Sequence, residues 1–246
     1  MMWNRQELKM RGKMAFKANY ASSVAVALLM GIISVIFSSG SGMNYSMEMN
    51  HSGYGEAAGI SGIYGGARTF GILAGIIGSM IAVMGMIGVL LQIFVESVLK
   101  VGGCHFFIQN QTGRPGIESM LSGFRSGHYG NIVLTMFLRD LYIALWMLLF
   151  IVPGIVKSYE YMMVPYILAE NPGMNRKEAF LISKQMMNGQ KWEAFVMDLS
   201  FIGWHLLSLF TCGLLTIFYV NPYHEAAVSE IYSFNKAKAY QEGYIR

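Results

Sequence analysis

A chain of 246 residues that is 54% hydrophobic and 13% charged, with a mean hydropathy of +0.42, has too little polar surface to clothe a soluble domain of its size, where about a quarter of residues are usually charged. The 18 Lys and Arg against 14 Asp and Glu form no basic stripe interleaved with stacking aromatics, which argues against nucleic acid as a partner. Cys104 and Cys212 have no CxxC spacing or neighbouring Cys/His set and fall in segments that the charge pattern assigns to opposite faces of a membrane, so neither a disulfide nor a metal or other cofactor is expected.

Residues 1–19 set Arg5, Lys9, Arg11, Lys13 and Lys17 against Glu7, with Trp3, Leu8, Met10, Met14 and Phe16 between them, a basic amphipathic lead-in. The apolar run Tyr20 to Phe37 ends at the small residues SSGSG, as a signal peptide would, but the same lead-in recurs twice downstream and favours an uncleaved first span. The Gly- and Ser-rich stretch 39–68 has no apolar period and is expected to be an external loop. Thr69 to Val95 is free of charge for 27 residues, more than the roughly 20 a helix needs to cross hydrocarbon. Its small residues four apart, Gly71/Gly75 and Ala74/Gly78/Ala82, either permit close helix approach or reflect the ordinary glycine content of membrane helices.

From Glu96 to Gly130 the chain turns mixed, with the turn-forming NQTGRPG at 110–116 and a short surface helix expected over Ile117–Phe124. Asn131 to Pro153 reads as a third span and Pro153-Gly154 as the break that sends the chain back, since proline cannot donate and glycine frees the backbone. Ile155 to Glu170 is then a fourth, more polar segment. Asn171 to Lys191 is amphipathic, with Asn175 and Glu178 at capping-box spacing. Trp192 to Phe210 is the fifth span, Thr211-Cys212-Gly213 a turn, and Leu214 to Tyr232 the sixth.

Lead-in, aromatic residue, span, turn and returning span occur three times, with Tyr20, Tyr129 and Trp192 at the junctions, where amphipathic rings prefer the water boundary. The expected fold is therefore all-α, a polytopic helix bundle forming one membrane domain over 1–246, with hairpins at about 20–95, 131–170 and 192–232. Segments 1–19, 96–130, 171–193 and 233–246 hold 5, 3, 4 and 3 Lys or Arg while 39–68 holds one. That asymmetry puts both termini and all four basic segments in the cytoplasm.

Five ionisable residues fall inside the apolar segments: Arg139, Asp140, Lys157, Glu160 and Asp198. At about 1.5 Å per residue, Asp140 lies roughly 16 Å beyond Tyr129 and Glu160 roughly 15 Å from Glu170, near mid-membrane for both. Lys157 and Glu160, three apart, can pair, and Arg139 can meet Asp198 across the bundle. Such charges form an internal ion-pair network, line a proton or ion path, or serve catalysis, and the first is favoured. Asp198 and His205, seven apart, share a face and can form an acid–imidazole pair; Glu225 is a further candidate, beside a His224 that points elsewhere.

The segments LRDLYIALW, IVPGIVKSYEYMMVPYILAENP, EAFLISKQMMNGQKWEAFVMDLSFIGW and FYVNPYHEA, with the opening MWNRQELKMRGKMAFKANY, closely resemble a family of bacterial integral membrane proteins known as domain of unknown function 975. More distantly, the hairpins look like the membrane-embedded part attached to some glycerophosphodiester phosphodiesterases, but no catalytic acid or histidine motif carries across. The resemblance implies a multi-pass protein of the bacterial cytoplasmic membrane and no known activity. The expectation is a non-enzyme whose basic helices meet anionic inner-leaflet lipids, with a role in membrane or envelope homeostasis, or as partner of another membrane protein or of its own copies. The alternative is a transporter or channel for a small solute, with a membrane lipid hydrolase third.

Overall fold

The computed structural model describes residues 3–39, 75–80, 83–86, 88, 92–211 and 213–245. Most of the expected loop 39–68, Gly71, Ala74, Ala82 and Cys212 lie outside the described residues. The chain divides into two compact units, Met1–Ile33 with Ile93–Arg246, and Ser34–Gln92. In the second, residues 75–80 and 83–86 are helical. The first contains the packed core; the helix begun at Tyr20 runs out of it after Ile33, and the chain re-enters it at Ile93.

Helix α1 (Arg5–Ala18) starts at Asn4, whose side-chain oxygen accepts from the Gln6 amide at 3.0 Å. Leu8, Gly12 and Phe16, four residues apart and so on one face, are its buried residues. They lie against the last helix, Asn221–Gln241, so closely that a Cβ on Gly12 would stand 2.8 Å from the Cα of Ala227. Asn19 alone separates α1 from α2 (Tyr20–Ser39). Its amide donates to Asn110 Oδ1 at 3.0 Å and to the Pro115 carbonyl at 3.1 Å, and the Asn110 amide donates to the Ala15 carbonyl at 2.9 Å, which fixes the corner.

A π-helical turn, Gln92–Glu96, leads into α3 (Ser97–Gln109). The short helix expected over Ile117–Phe124 is a 3₁₀ segment, Ile117–Leu121, continued by α4 (Ser122–Arg125). Next come α5 (Tyr129–Leu149) and α6 (Ile151–Glu160), packed on each other. Their break corrects the sequence expectation. It falls at Phe150, whose backbone is extended (φ −154°, ψ 135°), not at Pro153-Gly154. Pro153 sits in the first turn of α6, where no intrahelical donor is missed, and Gly154 permits the return, since a Cβ there would stand 2.8 Å from Met147 Cα.

The expected single segment Ile155–Glu170 is also cut: a turn at 161–163 separates α6 from α7 (Val164–Glu170). Helix α8 (Arg176–Met186) is capped by Asn175, which accepts from the Lys177 amide at 3.0 Å. After it come α9 (Lys191–Leu209), a second π-helical turn Thr216–Val220, and α10 (Asn221–Gln241). Every regular element among the described residues is helical, as the all-α expectation has it.

The core is built around α3, against which the 3₁₀ segment, α5, α7 and α10 pack. It buries Val98, Val101, Phe106, Phe107, Leu168 and Ile231. Beyond it, the ends of two helix pairs are apolar and largely exposed, from Leu141 to Val156 and from Leu199 to Phe218, with Leu148 84% and Phe210 87% accessible. Among the described residues one helix, Tyr129–Leu149, is long and apolar enough to cross a membrane, with a mean hydropathy of 1.9, and Tyr20–Gly31 is a shorter apolar helix. The other expected spans fall short for visible reasons: the fourth is cut at 161–163, the fifth carries Glu193 and Asp198, and the sixth opens on a π turn and becomes polar.

Candidate functional site

Three helix irregularities free a backbone carbonyl, and each is met by a side chain from another helix. Pro165 has no N–H to give the Tyr161 carbonyl four residues before it. Val164 N reaches it at 3.3 Å, and Arg139 Nε donates to it at 3.1 Å. Pro222 likewise leaves Phe218 short, and Tyr20 Oη donates to the Phe218 carbonyl at 3.3 Å. In the π turn at Gln92–Glu96, where the ladder slips by one residue, Tyr129 Oη donates to the Phe94 carbonyl at 2.7 Å. Tyr20 and Tyr129 are two of the three junction aromatics of the sequence repeat. The third, Trp192, is 69% exposed and lies on Phe195, ring centroids 5.4 Å apart.

The five charges expected as one cluster stand in three separate sets. Arg139, besides meeting Tyr161, pairs with Asp140 at 2.9 Å, and Asp140 faces outward. Glu160, buried at 3% exposure, pairs with Lys157 at 2.9 Å and Lys191 at 2.7 Å, with Lys184 at 3.9 Å. Lys184 belongs to the polar, exposed side of α8, so Glu160 lies within side-chain reach of that surface. The continuous helix that would have carried it about 15 Å from Glu170 does not exist, because α6 ends at Glu160 itself.

Asp198 forms the third set, and Arg139 does not pair with it. Its Oδ2 accepts from Tyr159 Oη at 2.8 Å, and its Oδ1 lies 2.8 Å from His224 Nε2. The expected Asp198–His205 pair is absent: His205 Nδ1 lies 3.4 Å from Thr216 Oγ1. Helix α10 explains the difference, since its first turn brings His224 across to Asp198 while Glu225 turns away to accept from Tyr166 Oη at 3.4 Å. Tyr159, Asp198 and His224, from α6, α9 and α10, line a pocket of about 320 Å³ together with His205 and Asn221.

Nearby, Lys9 of α1 donates to Ser200 Oγ at 2.9 Å and lies 4.4 Å from the Phe201 ring centroid. Burial holds its ammonium below the usual lysine range. Arg5 pairs with Glu193 at 3.0 Å. Cys104 is free and buried, and that burial pushes its thiol far above the ordinary value.

Sequence reasoning misses Tyr159, Lys184 and Lys191 as site residues and sets His224 aside. The one signal for them is position: Tyr159 precedes Glu160, and Lys191 precedes the junction Trp192. Among the described residues the pocket lining sets Tyr159 and Asp198, and no Ser, Thr or Cys, beside the His224 imidazole, so the triad can hold or pass a proton, or bind a hydrogen-bonding solute. No group of three or more His, Cys, Asp or Glu set to hold a metal ion occurs among the described residues.

A second concavity, about 400 Å³, lies between α6 and α9. Val152, Ile155, Val156 and Phe195 line it, with Lys191 and Trp192 at the start of α9.

Residues 151–237 match the family described as protein of unknown function (DUF975). The matched stretch contains three of the segments that carry the sequence resemblance; LRDLYIALW and the opening segment precede it. No curated protein and no solved structure matches the chain.

Proposed function

We propose that this chain is a multi-pass protein of the bacterial cytoplasmic membrane, with six apolar segments paired as three hairpins and both termini in the cytoplasm. In this reading it is not an enzyme. It serves membrane or envelope homeostasis, meeting anionic lipids through its basic helices and other membrane proteins, or its own copies, through its helices.

The observation that carries the reading is the exposed apolar surface of the two helix-pair ends, Leu141–Val156 and Leu199–Phe218, standing on a charged base. A monomer in water rarely exposes contiguous apolar patches beyond a few hundred Å². In lipid the same surface lies in its own solvent. The basic base fits an anionic leaflet, to which each Lys or Arg near the surface adds about 1 kcal/mol. The charges pair locally in three sets, which supports ion pairing over a shared path.

A cysteine introduced at Asn188 or at Phe210, in a chain with both Cys104 and Cys212 changed to Ser, tests the topology in intact cells with a membrane-impermeant maleimide. The Phe210→Cys chain is expected to react from outside, and the Asn188→Cys chain only after the membrane is opened. Reaction of both from one side overturns the six-segment layout. A chain that stays soluble after alkaline extraction of membranes overturns the membrane reading itself.

The pocket at Asp198 favours a second reading, passage of a small solute or proton past Tyr159, Asp198 and His224. It requires that Asp198→Asn change solute or proton flux into vesicles carrying the protein.

A further inference from the structure

The three repeats meet at seams where the start of one entering helix lies beside the returning helix of another. At two of them a tyrosine closes the seam on a freed carbonyl, Tyr129 on Phe94 and Tyr20 on Phe218. At the third seam, between α6 and the start of α9, the junction aromatic Trp192 is turned out; Lys191 on Glu160 at 2.7 Å and Tyr159 on Asp198 at 2.8 Å join the helices, and an apolar groove of about 400 Å³ lies beside Trp192. Groove and exposed helix-pair end are one surface, since Val152 and Val156 belong to both.

Around the ion pairs of Lys191, the one charged residue lining this groove among the described residues, the charge does not balance. Among the described residues Glu160 is the single carboxylate paired with Lys157, Lys184 and Lys191, and Lys184 keeps 60% of its side chain accessible. Three cations on one anion leave a local surplus of two positive charges, and Lys191 itself lines the groove. A molecule that fits must carry an anion and a long apolar chain. Trp192 supplies the amphipathic ring that suits the level of a lipid headgroup.

We propose that the α6–α9 groove is a binding site for an anionic phospholipid, one acyl chain lying along Val152, Ile155, Val156 and Phe195 and the phosphate resting on Lys191 and Lys184. This rests on the bilayer reading and deepens it, from attraction to a charged leaflet to one bound lipid at a defined seam.

The test is native mass spectrometry of the full chain, delipidated in mild detergent and titrated with palmitoyl-oleoyl phosphatidylglycerol or the matching phosphatidylcholine. One phosphatidylglycerol is expected to bind about tenfold more tightly than phosphatidylcholine. Val156→Trp, at a half-exposed position that tolerates bulk, fills the groove and abolishes that adduct. Lys191→Gln removes the preference between the two lipids, and Lys191→Arg keeps it. Each variant is checked for an unchanged melting curve and for partition into vesicles.

Undiminished binding by folded Val156→Trp overturns the site, as does equal binding of both lipids by the wild-type chain, or a dimer that forms where the adduct should be. Failure of the wild-type chain to partition into vesicles overturns the membrane reading instead, so the two failures are distinguishable.

Discussion

Arg139 looks misplaced in an apolar run, and its contacts give the reason for it. Pro165 removes a donor from the Tyr161 carbonyl, and Arg139 Nε supplies one at 3.1 Å. Arg139→Met leaves that carbonyl only the Val164 amide at 3.3 Å and removes one charged hydrogen bond, so it is expected to lower stability by about 1–2 kcal/mol in detergent-based unfolding. In a Pro165→Ala background, where a backbone N–H is available, the same substitution should cost less by about 0.5 kcal/mol or more, and strict additivity would remove the assignment. The charge was legible in the sequence; its role was not. The role depends on a proline 26 positions later (139 to 165) and on a turn at 161–163 that apolar periodicity does not mark. Asp198 shows the same limit. Spacing along one helix offers His205, but the partner comes from another helix, and chain spacing cannot rank contacts across a bundle.

Among elements, α8 was the most legible because its signals are local. Asn175 marks its start in the sequence, and its side chain does accept from the Lys177 amide. Asn175→Ala should destabilise by about 1 kcal/mol, the usual cost of losing such a cap. Lys184→Ala on the same helix should stay within about 0.5 kcal/mol, being exposed and 3.9 Å from its acid. Paired melting curves of the two variants check that order. The breaks within elements are harder to place. Pro153-Gly154 is the strongest punctuation in its region, yet the chain turns at Phe150, because a proline in the first helical turn starts a helix as readily as it ends one. The π turns at Gln92–Glu96 and Thr216–Val220 leave composition unchanged, so hydropathy alone cannot reveal them.

At the scale of the whole molecule, the junction aromatics that the sequence pattern singles out do not all play one part. Tyr20 and Tyr129 each donate to a carbonyl freed by a helix irregularity, while Trp192 is turned out, a difference that a reading giving all three one role cannot reach. The α1 lead-in and the polar end of the last helix, far apart in the chain, form a single feature of the fold. Leu8, Gly12 and Phe16 lie against α10 across some two hundred residues of intervening chain. Backbone meets backbone at Gly12 and Ala227 with no room for a methyl group. Gly12→Val should therefore force α1 off α10, at a cost of about 1–3 kcal/mol for overpacking, and expose the Arg and Lys bonds of α1 to trypsin. Unchanged digestion would show that α1 is held by something else.

That junction also sets an order of assembly. Synthesis delivers α1 before α10, so the buried face of α1 has no partner until the residues between them have been made. Closing so long a loop comes late and slowly compared with local helix pairing. Until then the face of α1 that carries Leu8, Gly12 and Phe16 stays uncovered. Docking of α1 is thus timed by the arrival of α10.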